Sequence, residues 1–260
     1  MSKSSAKFKN AKDKRQKVVD AQGWTHVVRG PKLGHAHSRL VTGLDGLSIS
    51  PLPDTIDLRN ILSRYDKIWT SSPACEKLLT FLEEEVIPAA EVAIRKCICL
   101  GLGSLSDGRE SSRFQFVTLS SILRLLNQES RVDQVIFQDP AFTRSDMEYL
   151  ETQGHTVVAS PAAFDLVDPN TFLFAPHLEH EYYAKAVEKH LPAITIGSDV
   201  DALLEGTCIP SDHQVGDFDT RKILQRFRAE TKCYPMPKFE QDPWYLFTSL
   251  YWRSHPADGS

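Results

Sequence analysis

The chain has 260 residues, 41% apolar and 25% charged, with a net charge of -4. That suits one sizeable folded domain with an extension, and a core large enough to need no disulfide or metal staple. No apolar run approaches the length of a membrane span. The five cysteines (Cys75, Cys97, Cys99, Cys208, Cys233) are odd in number and form no CxxC, which points to a reduced, intracellular chain.

The charge is uneven. Residues 1–20, MSKSSAKFKNAKDKRQKVVD, hold seven Lys or Arg against two acids, so the rest of the chain is acidic. A basic arm on an acidic body could touch nucleic acid, an anionic surface or an acidic partner. A solvated, disordered tail is the simpler reading. Nucleic acid is expected at this arm or nowhere on the chain. Residues 1–22 read as disordered or loosely helical, and 23–55, rich in Gly, Pro and Ser, as a loose connector. We therefore expect an arm over 1–55 and an α/β domain over 56–260.

Two helices follow, near 56–69 and 73–86, the second with Ser72 as N-cap and Pro73 at its first position. The pattern then changes. Cys97 to Leu100 reads as a strand buried on both faces. Cys97 and Cys99 share one face of it, as small core residues rather than metal ligands. Apolar residues at helical spacing follow over 110–127. Strands are expected at 134–138, 156–159, 171–175 and 193–196. Helices are expected at 145–153, 179–190, 200–204 and 220–230. The aromatic stretch DPWYLFTSLYW, 242–252, reads as a last helix or strand. Short apolar strands alternating with helices predict a Rossmann-like, open, mostly parallel sheet of about five strands with helices on both faces.

Ligands of such sheets sit beyond the carboxyl ends of the strands. Three strand ends there carry candidate residues. The stretch KCICLGLGSLSDG puts Gly101, Gly103 and Ser104 after the first strand, with Arg113 in the helix beyond. It lacks the third glycine of GxGxxG and the Lys-Ser/Thr of a P-loop. It is either a ligand cradle or a close turn that needs small residues. Asp139, before Pro140, ends the second strand and is placed to bind a ribose, or to make an ordinary Asp-Pro turn. Asp146 is placed to cap or open the next helix. His177, after Pro176, ends the fourth and is placed as acid, base or hydrogen-bond donor. His177 and His180 are weak metal candidates, lacking an obvious third ligand.

The ordered set CLGLGS, SRFQ, DPAFT with Asp146 beyond it, and FLFAPH followed by Tyr183 resembles the SRR-like domain (sensitivity to red light reduced). The resemblance implies positions for Gly101, Gly103, Ser104, Arg113, Gln115, Asp139, Pro140, Asp146, Pro176 and His177. Leu178 departs from it, because many relatives carry Cys there. The resemblance also implies a regulatory or adaptor protein of cytoplasm and nucleus, with relatives linked to light signalling, circadian input, stress phenotypes and haem metabolism. No defining reaction or cofactor comes with it. It leaves a protein partner and a small-molecule ligand at the strand edge as expectations. The alternatives are a nucleotide- or S-adenosylmethionine-dependent transferase, and a haem- or metal-responsive protein.

Overall fold

The computed structural model describes residues 15–19, 25–29, 55–90, 92–107, 109–129, 132–205, 214–215 and 218–253. It separates into two units, residues 1–51 and 52–260. In the first, β1 (Arg15–Val19) pairs antiparallel with β2 (Thr25–Arg29), setting Arg15 opposite Arg29. Composition alone did not reveal this strand pair. The rest of the expected arm lies outside the described residues.

The second unit opens with α1 (Thr55–Thr70) and α2 (Pro73–Phe81). The Ser72 hydroxyl accepts the Cys75 amide at 3.2 Å, capping α2 as its sequence predicts. The helix runs on through a π turn, Leu82–Val86, into α3 (Ile87–Ala90). Pro88 has no amide to give the preceding turn, and the wider turn accommodates it.

The sheet has seven strands rather than about five. They are β3 (Lys96–Leu100), β4 (Gln134–Gln138), β5 (Thr156–Val157), β6 (Thr171–Ala175), β7 (Ile194–Ser198), β10 (Lys232–Pro235) and β11 (Thr248–Trp252). A separate two-stranded pair joins β8 (Gln214–Val215) to β9 (Phe218–Asp219). The order of the large sheet is β10-β11-β7-β6-β3-β4-β5. Strands β3 to β7 are mutually parallel, and β11 inserts antiparallel between β7 and β10. The two additional strands come from the C-terminal segment. Lys-Cys-Tyr-Pro is too short and too mixed to announce β10, and its strand geometry comes from pairing with β11.

The helices α4 (Glu110–Glu129), α5 (Arg144–Thr152), α6 (His180–Glu188), α7 (Val200–Glu205) and α8 (Thr220–Ala229) lie close to their predicted places. Alternation along β3 divides the core. Cys97 and Cys99 join the cluster packed by α1, α2, α4 and α5, while Ile98 and Leu100 join the one packed by α6 and α8. Burial pushes both thiols far up, so they are inert core groups. Among the described residues no helix is long and apolar enough to cross a membrane.

Candidate functional site

The chain steps from β3 to β4 and β5 on one side, then returns to lay β6 on the other side of β3. The carboxyl ends of β3 and β6 therefore flank the topological switch point, where open α/β sheets hold ligands. Gly101 ends β3, Asp139 ends β4 and Pro176-His177 ends β6. The sequence-predicted residues do share one border.

The β3 loop is shaped by two left-handed glycines, Gly101 at φ 71° and Gly103 at φ 78°. Each also faces a neighbour that leaves no room for a side chain. A Cβ on Gly101 would lie 2.9 Å from Leu178 Cδ1, and one on Gly103 would lie 2.6 Å from Ser112 Oγ. Leu178 thus lies over Gly101 at the crevice between β3 and β6.

Two aspartates brace the loop. The Asp139 carboxylate accepts the Gly103 amide at 2.6 Å and the Ala141 amide at 2.7 Å. Asp146 is wholly buried. It accepts the amides of Leu105 (3.1 Å), Ser106 (2.9 Å) and Thr143 (2.8 Å). Thr143 returns the favour as N-cap of α5, completing a capping box with Asp146. Asp146 therefore both opens α5 and pins a loop 40 residues away, so its local capping motif carries a long-range contact.

The other candidates are engaged as well. Ser104 is buried, and its hydroxyl accepts the amides of Ser106 and Asp107 at 3.3 and 3.2 Å. Arg113 donates from Nε to the Leu105 carbonyl at 2.9 Å, with its guanidinium 5.6 Å from the centre of the Tyr65 ring. His177 has φ 56° and pairs through Nε2 with the Trp244 carbonyl, so Nε2 carries the proton. Gln115 is buried within α4. His180 Nε2 is buried and meets no hydrogen-bond partner among the described residues. No three His, Cys, Asp or Glu side chains among the described residues gather closely enough to hold a metal ion.

Sequence reasoning did not single out the contribution of the C-terminal segment. Thr248 pairs with Ser198 at the end of β7, so Leu246 and Phe247 lie on the same border. Phe247 is 72% exposed and left-handed at φ 57°. Its carbonyl accepts the Asp199 amide at 2.7 Å. Beside it, the Trp244 amide and Ser111 hydroxyl both donate to the buried Asp242. Among the described residues His177 and Phe247 are the two non-glycine residues with positive φ, and both stand here. Such conformations persist where surrounding structure imposes them, and they collect at functional sites. Their only sequence signal is the density of aromatics over 242–252.

The sheet order and the border loops define an open, doubly wound α/β protein with a self-braced switch-point loop. The profile of the SRR1 domain matches residues 74–250, and the chain belongs to that family. Two solved structures are similar at a distance. The crystal structure of Thermoplasma acidophilum 1320 is 12% identical, covers 75% of this chain and 98% of its own, and has a TM-score of 0.34. That of cofactor-bound Rv0187 from MTB is 11% identical, covers 76% and 89%, and has a TM-score of 0.37. Likenesses this distant carry nothing further about this chain.

Proposed function

We propose that this SRR1-domain protein is a regulatory or adaptor protein that acts through the C-terminal border of its sheet. One observation carries the reading: the polar groups a catalyst would need are already bonded to the protein itself. Asp139, Asp146, Ser104, Arg113 and His177 each hold a loop or a carbonyl in place. Such a border is a preformed, rigid contact surface, with His177, Leu246 and Phe247 exposed on it. Its occupant is a protein partner, with a small molecule as the signal that tunes the contact. The family resemblance supports placing this activity in the cytoplasm and nucleus, in signalling, circadian or stress regulation.

The test is retention of partners from native lysate by wild type and by the Phe247→Ser and His177→Ala variants. Loss of a partner in both, with thermal stability kept, supports the reading. Turnover of a group-transfer substrate abolished by His177→Ala would sink it.

Strand order supports a second reading. Numbered along the chain, the seven strands run 3-2-1-4-5-7-6 with the seventh antiparallel, so the order reverses beside the first strand, where doubly wound sheets hold nucleotides and where a nucleotide- or S-adenosylmethionine-dependent transferase would hold its cofactor. Asp139 keeps lone pairs beyond its two amide bonds, as a ribose would require. Leu178, lying over Gly101, opposes close approach of a cofactor there. Bound S-adenosylmethionine would supply an activated methyl group. At 100 times its dissociation constant a ligand stabilises by about 2.7 kcal/mol, a readily measured thermal shift. No shift with S-adenosylmethionine, in wild type or in Leu178→Ala, removes this reading. A shift with haem or a divalent metal that disappears in His177→Ala would instead favour a haem- or metal-responsive protein.

A further inference from the structure

A groove of about 430 Å³ lies away from the strand border, between α1, α4 and the end of α5. That volume falls within the range of small-molecule sites. Its apolar lining comes from Leu62, Phe116, Val117 and Leu123. Its formal charges are unequal, with two arginines facing one carboxylate. The one carboxylate, Asp66, is already paired with Arg124 Nη2 at 3.1 Å. Arg124 also donates to Ser121 at 2.8 Å. Arg59 makes no ion pair among the described residues.

The two side-chain amides differ: Gln153 Nε2 donates to the Thr152 hydroxyl at 3.3 Å, which leaves its Oε1 to accept. Asn127 uses its Oδ1 to accept the Val132 amide at 3.1 Å, so its NH₂ group remains to donate. The Ser120 hydroxyl is committed to the Phe116 carbonyl at 2.9 Å. Burial holds the Tyr149 phenol up, against the pull of Arg59, so it stays a protonated donor. Burial also lowers the basicity of His155, so this ring adds no cation near neutral pH. The Arg59 charge and the Asn127 NH₂ are left without acceptors among the described residues, beside an apolar wall.

We propose that this groove binds an organic anion: a molecule with an apolar body and a single carboxylate, sulfonate or phosphate. Arg59 and the Asn127 amide take the anionic end, and Phe116 and Leu123 take the body. The site is independent of the strand border and of the function proposed for it.

The test uses 8-anilinonaphthalene-1-sulfonate, an apolar monoanion whose fluorescence rises on binding, titrated into the full chain. One saturable site is expected. Arg59→Ala should weaken it at least tenfold, and Ser120→Trp, which fills the groove, should abolish it. Phe247→Ser should leave the affinity unchanged, excluding the exposed aromatic on the strand border as the site. Should Ser120→Trp fail to fold, Asn127→Asp replaces it: a carboxylate facing the sulfonate should also weaken binding tenfold. Absence of saturable binding, or an affinity indifferent to Arg59→Ala, overturns the proposal.

Discussion

The strand border and the α1–α4–α5 groove are opposites in their use of polar groups. At the border nearly every candidate side chain is bonded to the chain itself, and Asp146 alone collects three amides, one buried and two half-buried. In the groove Arg59 has no ion pair among the described residues and the Asn127 NH₂ remains to donate, and the side chains there arrive from three helices without any recognisable motif. A motif can thus mark a place where the fold must be held, whereas binding capacity collects where a charge is left without a partner. Changes at the border should therefore cost stability, and changes in the groove should cost binding.

The largest effect is expected from Asp146→Ala. The buried Leu105 amide left without an acceptor costs about 1–3 kcal/mol, and the half-buried Ser106 and Thr143 amides add smaller amounts. A loss of roughly 3 kcal/mol or more should appear as a lower denaturant midpoint with an unchanged slope. A loss below about 1 kcal/mol would mean the loop re-bonds to water and is not braced by this residue. Gly103→Ala comes next, because it imposes both a left-handed alanine and a contact with Ser112 Oγ. A cost of about 2 kcal/mol is expected. Ser112→Ala in the same chain should recover the steric part and leave the backbone part.

Gly197→Ala tests the sheet face behind the border. A Cβ there would lie 2.4 Å from Tyr183 Cε2, in a fully buried contact. Overpacking of this kind costs about 1–3 kcal/mol. Shortening the ring by Tyr183→Leu in the same chain should return part of it. Asp139→Ala is expected to cost less, about 1–2 kcal/mol, because water can reach its half-buried amides.

Arg59→Ala should change stability by less than about 0.5 kcal/mol, as an exposed residue in no ion pair among the described residues. The smallest expected effect is the pH response of the groove. His155 has a lowered pKa through burial, so the unfolded chain binds its proton more readily than the folded one. Stability from this ring is complete above its ordinary pKa of about 6.5 and falls as pH drops below that value. His155→Phe, which keeps a ring against Phe137, where the centroids are 5.2 Å apart and the planes tilted by 40°, should flatten that part of the stability profile.

Much of the fold was legible because it depends on local signals. Ser72-Pro73 starts α2, the apolar run at 97–100 makes a strand, and left-handed Gly154 follows α5 as a closing glycine. The meeting of Gly101, Asp139 and His177 on one border was legible too, because parallel strands with helical crossovers bring their carboxyl ends to one side. What those residues do there was not. The bond from His177 to Trp244 spans 67 positions, and the one from Leu105 to Asp146 spans 41.

The amino-acid order by itself determined the alternation of strands and helices, the family, and the border on which the motif residues stand. These follow from periodicity, caps and glycines acting over a few residues. Tertiary structure alone decided that the border is braced, that β10 and β11 extend the sheet to seven strands, and that three helices bring Arg59 and Arg124 to one groove with a single carboxylate. Those outcomes depend on which distant groups are left to satisfy one another once water is excluded, and no local window of sequence contains both partners.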